Sequence, residues 1–192
     1  GSAVVSPSNN AIYYITGTSA AGCAGANTAI CNITVNSLPL VTVNNGVICN
    51  GQSFTMSPSG AISYTFSSGN AVVSPSANSS YTVIGSDSFG CVSTNAVSHV
   101  TVMALPGVSA LSTNSTICSG ENVTLTATGA ISYVWTNIAS LASIVVSPTT
   151  TTTYTVTGTG VNGCTNTFSL TQTVNVCAGL SSNTAEQSVT IF

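Results

Sequence analysis

The reactive chemistry open to this chain rests on seven cysteines, three carboxylates and one histidine, with no lysine or arginine to accompany them. The cysteines are Cys23, Cys31, Cys49, Cys91, Cys118, Cys164 and Cys177; the acids are Asp87, Glu121 and Glu186; the histidine is His99. That inventory excludes most functional classes. Nucleic-acid binding needs cations to neutralise phosphates, and none exists. Zinc is disfavoured because no Cys-x-x-Cys occurs and His99 stands alone. Calcium wants several oxygen ligands, carboxylates foremost, around one ion, and three scattered acids do not furnish them. Glycosidase chemistry needs two carboxyls facing across a cleft, and nothing in the spacing places Glu121 against Asp87. Both read as solvated turn residues, and Glu186 the same. His99 has no partner for a triad, and no serine sits in a Gly-x-Ser-x-Gly elbow. No catalytic residue, metal or cofactor is therefore expected, and the chain does not read as an enzyme.

An ordinary globular chain of this length would carry roughly 48 charged residues, whereas this one has three. Solubility must rest on Ser, Thr and Asn. The hydrophobic fraction of 43% still permits packed cores. No apolar run reaches the roughly 18 residues of a membrane helix, so insertion into a membrane is not expected. Four Asn-x-Ser/Thr sequons, at Asn32, Asn78, Asn114 and Asn122, mark possible glycosylation positions, although a Ser/Thr/Asn-rich chain produces many by chance.

Helix formers are scarce, and Val, Thr, Ile and Tyr abound, which is strand composition. Period-two runs such as Val123-Thr124-Leu125-Thr126-Ala127 and Tyr154-Thr155-Val156-Thr157, bounded by Gly, Pro, Ser and Asn, predict short half-buried antiparallel strands. The fold class is all-β.

A repeat of about 70 residues organises these strands. Val-Val-Ser-Pro occurs at Val4–Pro7, Val72–Pro75 and Val145–Pro148. Tyrosine follows each proline by six residues (Tyr13, Tyr81, Tyr154), then Gly17, Gly85 and Gly158, then Cys23, Cys91 and Cys164. Upstream, Cys49-Asn50-Gly51 matches Cys118-Ser119-Gly120, and Gly60-Ala61-Ile62-Ser63-Tyr64 matches Gly129-Ala130-Ile131-Ser132-Tyr133. Turn signals every 8–12 residues favour a two-sheet sandwich. Strands are expected near 40–43, 53–57, 61–66, 71–74, 80–84 and 92–102. The domains then run 1–38 (incomplete), 39–105, 106–176 and a tail over 177–192. With six strands, the first turn and last hairpin fall at one end, which predicts the bridges Cys49–Cys91 and Cys118–Cys164. The matched aromatics Tyr64, Phe66, Tyr133 and Trp135 read as core or interface rather than as a sugar-stacking platform.

In order and spacing, the Cys-x-Gly, Gly-Ala-Ile-Ser-Tyr, Val-Val-Ser-Pro, Tyr-Thr-Val and Gly-Cys blocks resemble the immunoglobulin-like repeats of large Bacteroidota cell-surface proteins exported by the type IX pathway. The segment from Cys177-Ala178-Gly179-Leu180 to Phe192 also resembles the lead-in to that pathway's sorting domain. The resemblance implies tandem immunoglobulin-like sandwiches serving as stalk, filament or adhesin modules without catalytic residues. It places them outside the cell, with a polysaccharide or another surface as possible partner. The tyrosine-to-cysteine interval departs from antibody domains, ten residues in place of two.

The two ends of the chain complement each other. The first copy starts where the second has reached Gly69, so it lacks counterparts of 40–66. The tail opens with the Cys-x-Gly signature and closes with Ser188-Val189-Thr190-Ile191-Phe192, similar to Ile62–Phe66 and Ile131–Trp135. Cysteine and final aromatic are 17 residues apart in both complete copies and 15 in the tail. Head-to-tail completion follows as an expectation, the alternative reading being that residue 1 is only where a fragment begins, with neighbouring repeats lost. In such completion the tail donates a strand to the first domain of another copy, giving an open fibre. In that register Cys177 would meet Cys23 of the next subunit, with a local Cys23–Cys31 bridge as the rival. An adhesin or glycan-binding stalk is the alternative function.

Overall fold

The computed structural model describes residues 2–136 and 138–177. Fifteen strands and no helix occur among them, as the composition requires. In chain order they are β1 (Ala11–Thr18), β2 (Ala24–Ile33), β3 (Gly46–Cys49), β4 (Phe54–Thr55), β5 (Ser63–Phe66), β6 (Val72–Val73), β7 (Ser79–Ser86) and β8 (Ala96–Met103). The second half continues with β9 (Ser109–Ser112), β10 (Thr116–Cys118), β11 (Val123–Thr128), β12 (Ser132–Trp135), β13 (Ser143–Val146), β14 (Thr152–Thr159) and β15 (Thr165–Asn175). The chain divides into two compact units, 1–102 and 103–192.

The second unit contains a complete sandwich. One sheet has the order β10-β15-β14-β12, the other β13-β11-β9. Every pairing is antiparallel except β10 with β15, which run parallel with Cys118 opposite Asn175. Taken as A, B, C, E, F and G, the strands β9, β11, β12, β13, β14 and β15 follow immunoglobulin topology, with β10 added beside G. Alternation does the sorting: Val123, Leu125 and Ala127 of β11 point inward and are buried, while Thr124 and Thr126 face out. They meet Val156, Trp135, Ile144 and Ile117 in one core. The single buried amide, Gln172, accepts from the Ser112 hydroxyl at 2.6 Å, so its burial is compensated.

The first unit repeats this plan over 41–103 and adds a hairpin. Its sandwich has the sheet β3-β8-β7-β5 and the pair β4-β6 around Val41, Ile48, Met56, Val73, Val83 and Val100. The fold is thus all-β, with immunoglobulin-like sandwiches. β1 and β2 form a two-stranded antiparallel sheet of their own.

The repeated blocks have structural reasons. Gly60 and Gly129 adopt φ of +95° and +90°, and a Cβ at either would strike a backbone carbonyl, of Leu40 or Gly107 respectively. The following alanines pack against Gly85 and Gly158 on β7 and β14, the strands that pair with β5 and β12. Tyr64 closes its turn by donating to the Ala61 carbonyl (2.8 Å) and accepting from the Ala61 amide (3.0 Å); Tyr133 does the same at Ala130, both at 2.7 Å. Gly-Ala-x-Ser-Tyr is thus a clamped turn that lets the two sheets approach.

A Cβ at Gly158 would lie 2.5 Å from a Val108 methyl and 2.8 Å from the Ala130 methyl, whereas one at Gly17 meets nothing within 4 Å. Gly158→Ala should therefore lower the stability of the second unit by about 1–3 kcal/mol through overpacking. Gly17→Ala should leave thermal and urea unfolding of the isolated chain unchanged. Equal effects at the two sites would contradict this packing.

Candidate functional site

The cysteines pair differently from the expected pattern. Cys118 is bonded to Cys177, with Cα atoms 5.4 Å apart, inside the usual range. The expected Cys118–Cys164 bridge does not form, and β10 supplies the reason. Six strands were read from the sequence, but the short β10 after the leading strand adds a seventh. Because it runs parallel to β15, it carries Cys118 to the far end of that strand, where the Ser119 amide donates to the Asn175 carbonyl at 3.0 Å. Cys164 precedes β15 at its other end. Asn175, opposite Cys118, lies 11 residues from Cys164, roughly 36 Å of extended chain.

The Cys49–Cys91 expectation fails similarly, since Cys91 is a free thiol. The overlooked strand there is β3, which ends at Cys49 and lies beside β8. Cys49 and Cys164 are each engaged in a disulfide. Cys23 and Cys31 are free and exposed, so the local Cys23–Cys31 bridge is absent. Cys177 is engaged within its own chain, which removes the donor for the expected Cys23–Cys177 link. Four cysteines in disulfides suit a secreted or surface location.

The carboxylates cap turns. Glu121 accepts from the Cys118 amide at 3.0 Å, as Gln52 does from the Cys49 amide at 2.9 Å. Asp87 accepts from the Phe89 and Cys91 amides, both at 2.9 Å, and fixes the β7–β8 loop. Asn162 performs that role for Cys164 at 3.1 Å. A neutral amide thus serves where an acid does, which is what a structural cap predicts and an acid–base role does not. His99 lies on an exposed sheet face with its Nδ1 2.9 Å from the Ser80 hydroxyl. No group of three metal-type side chains gathers among the described residues. Trp135 is buried, and Tyr64, Phe66 and Tyr133 are half-buried against the cores. The sequon residues Asn32, Asn78, Asn114 and Asn122 are all exposed. Glu186 and the tail strand Ser188, Val189, Thr190, Ile191 and Phe192 lie outside the described residues.

The most unusual surface is the β1–β2 hairpin, which is the counterpart of β7–β8 and β14–β15. Tyr13 is opposite Cys31 as Tyr81 is opposite Ser98 and Tyr154 opposite Leu170. In the sandwiches the centre of this ladder is sealed: Val83 and Val156 are both 0% exposed. Their counterpart Ile15 is 57% exposed. β7 and β14 each have strands on both sides, whereas among the described residues β1 pairs only with β2. Ala3 and Val5 reach part of the open face, leaving a hollow of about 250 Å³ with Tyr13, Tyr14, Ile15 and Cys31. On the reverse face Tyr14 and Ile30 pair across the strands, 69% and 62% exposed. An apolar sheet with free edges invites strand addition.

No family model matches the chain, and no curated protein matches it. Solved structures that it is similar to include Clostridium thermocellum CbhA fibronectin(III)-like modules, at 14% identity and TM-score 0.33, covering 71% of this chain and 94% of that one. Another is an amphioxus IgVJ-C2 molecule, at 15% identity and TM-score 0.31, covering 66% and 99%. A third is murine CEACAM1b, at 12% identity and TM-score 0.30, covering 72% and 100%.

Peptide mapping without reduction should recover a Cys118–Cys177 linked fragment, with Cys23 and Cys31 alkylated quickly and half-buried Cys91 slowly. Replacing both Cys118 and Cys177 by Ser should cost at most about 4 kcal/mol for a loop spanning 59 residues, read as a lowered urea midpoint of the second unit. A Cys118–Cys164 fragment in the map would overturn the topology.

Proposed function

We propose that the chain is a structural subunit of an extracellular filament in which immunoglobulin-like sandwiches are joined head-to-tail by strand complementation. The observation that carries this reading is the β1–β2 hairpin. It has the ladder and the central glycine of a sandwich sheet, yet its apolar face and its edge are open. A second copy of the chain is the partner that supplies matching strands, and such a contact is heterologous and propagates. Disulfides and turns capped by Asn, Gln, Asp and Glu side chains suit a durable module. Export by the type IX route to a Bacteroidota surface accords with the repeat blocks. The aromatics that could have stacked on sugars are committed to the cores, so the glycan-binding alternative gains nothing from them.

Concentrated full-length chain should form unbranched fibres by electron microscopy and sediment as polymer. Ile15→Asn should reduce assembly at least tenfold while leaving the unfolding of the second unit unchanged. A chain that stays monomeric at high concentration, with rapid hydrogen exchange throughout β1, would overturn the reading.

A further inference from the structure

We infer that the tail segment Val189–Phe192 of a second copy adds antiparallel to the free edge of β1, with Phe192 opposite Ile15 and Thr190 opposite Gly17. This deepens the filament reading and rests on it. The register comes from the two complete sandwiches. In the first, β5 pairs with β7 so that Tyr64 is opposite Gly85 and Phe66 opposite Val83. In the second, β12 pairs with β14 so that Tyr133 is opposite Gly158 and Trp135 opposite Val156. Both strands therefore end on an aromatic set against the buried valine, two residues beyond the glycine's partner. β1 offers the same acceptor sequence, Ile15-Thr16-Gly17 against Val83-Ile84-Gly85 and Val156-Thr157-Gly158. The tail offers the same donor ending, Thr190-Ile191-Phe192 against Tyr64-Thr65-Phe66 and Tyr133-Val134-Trp135.

The hydrogen-bond phase fixes the pair types. Beyond the aromatics, Ser67 donates to the Thr82 carbonyl at 2.9 Å and Thr136 to the Thr155 carbonyl at 3.0 Å. Hydrogen bonding in an antiparallel ladder alternates, so the glycine and valine pairs are the non-hydrogen-bonded ones, where side chains approach closely. Phe192 would then lay its ring over Ile15 and fill the hollow beside Tyr13 and Cys31. Thr190 replaces the clamp tyrosine, so the donor brings edge hydrogen bonds and one aromatic anchor without the Ala61-type turn. Reach is ample, because the disulfide fixes Cys177 and 15 residues follow it, up to roughly 50 Å when extended. Cys31 occupies the ladder position of Ser98, which is 0% exposed, and of half-buried Leu170, so docking should also bury its thiol.

Two full-length variants test this, Gly17→Cys and Thr190→Cys, each in a Cys23→Ser, Cys91→Ser background, mixed under mild oxidation. The expected result is an interchain crosslink between positions 17 and 190 at least tenfold above the off-register control, Ile15→Cys with Thr190→Cys. Unmodified Cys31 should lose alkylation at least fivefold on assembly. A labelled peptide of residues 184–192 should bind wild-type chain, with Phe192→Ala weakening it tenfold or more. If fibres form but the crosslink is absent or indifferent to register, and the peptide does not bind, the tail is not the donor although the filament reading stands. A preceding stretch of a longer chain then completes the hairpin. If neither fibres nor peptide binding occur, both inferences fall.

Discussion

Everything in this chain depends on how closely two β-sheets can approach at one glycine per repeat. At Gly85 and Gly158 the absent Cβ leaves room for a valine of the leading segment, Val41 or Val108, and for the alanine of the turn that enters the neighbouring strand. Sheet packing near 10 Å with interdigitated side chains follows from that contact. The tyrosine clamp holds the alanine turn in place with two hydrogen bonds, so the glycine, the alanine and the tyrosine form one device at the end of one sheet, against which the valine of the other packs. In the hairpin the same glycine faces open space. Gly17 has no local use that alanine or serine would not serve, and its meaning lies in the face it leaves unfilled.

The missing charges act on the same contact from outside. An edge strand is usually protected from unwanted pairing by lysine, an inward charge or proline. With no lysine or arginine and three acids in the whole chain, these protections are almost entirely absent. Asp87 and Glu121 are tied to turns and guard no edge. In the sandwiches the central strands β7 and β14 are paired on both sides. Among the described residues, the hairpin presents an unguarded strand with its apolar face open as well. Specificity must then come from register, which a glycine and a large aromatic at fixed separation can set.

The fold class and the repeat were legible in the sequence because alternation and turn residues carry them locally. Even the glycine-to-cysteine spacing of the last hairpin was readable, and β7–β8 and β14–β15 lie where the Tyr-Thr-Val and Gly-Cys blocks put them. What failed was the short strand before each Cys-x-Gly turn. Gly46–Cys49 and Thr116–Cys118 are four and three residues long, too short for any periodicity to register. Each is held only by a neighbouring strand that the folded chain brings to it, β8 for the first and, in a parallel pairing, β15 for the second. One uncounted strand inverted the parity of the sandwich and sent both predicted disulfides to the wrong ends. The hairpin's Tyr, Gly and Cys positions were legible from the repeat, but the exposure of Ile15 and the open space at Gly17 belong to the fold and have no local signal.

The position of the Cys118–Cys177 bridge has a mechanical consequence for a filament. β10 and β15 run parallel, and the bridge joins their ends just past the last ladder pair, Cys118 with Asn175. Tension on the chain beyond Cys177 passes through sulfur into Cys118, and the 58 residues between the two cysteines are closed off from extension. From Cys118 the load continues back along β10, beside β15, so that their slanted hydrogen bonds are strained in shear together rather than peeled singly. A bridge at the hairpin end, between Cys118 and Cys164, would have left β15 free to unzip from its C-terminal end. The seventh strand that defeated the sequence-based pairing is therefore also what puts the covalent lock where a pulled chain needs it.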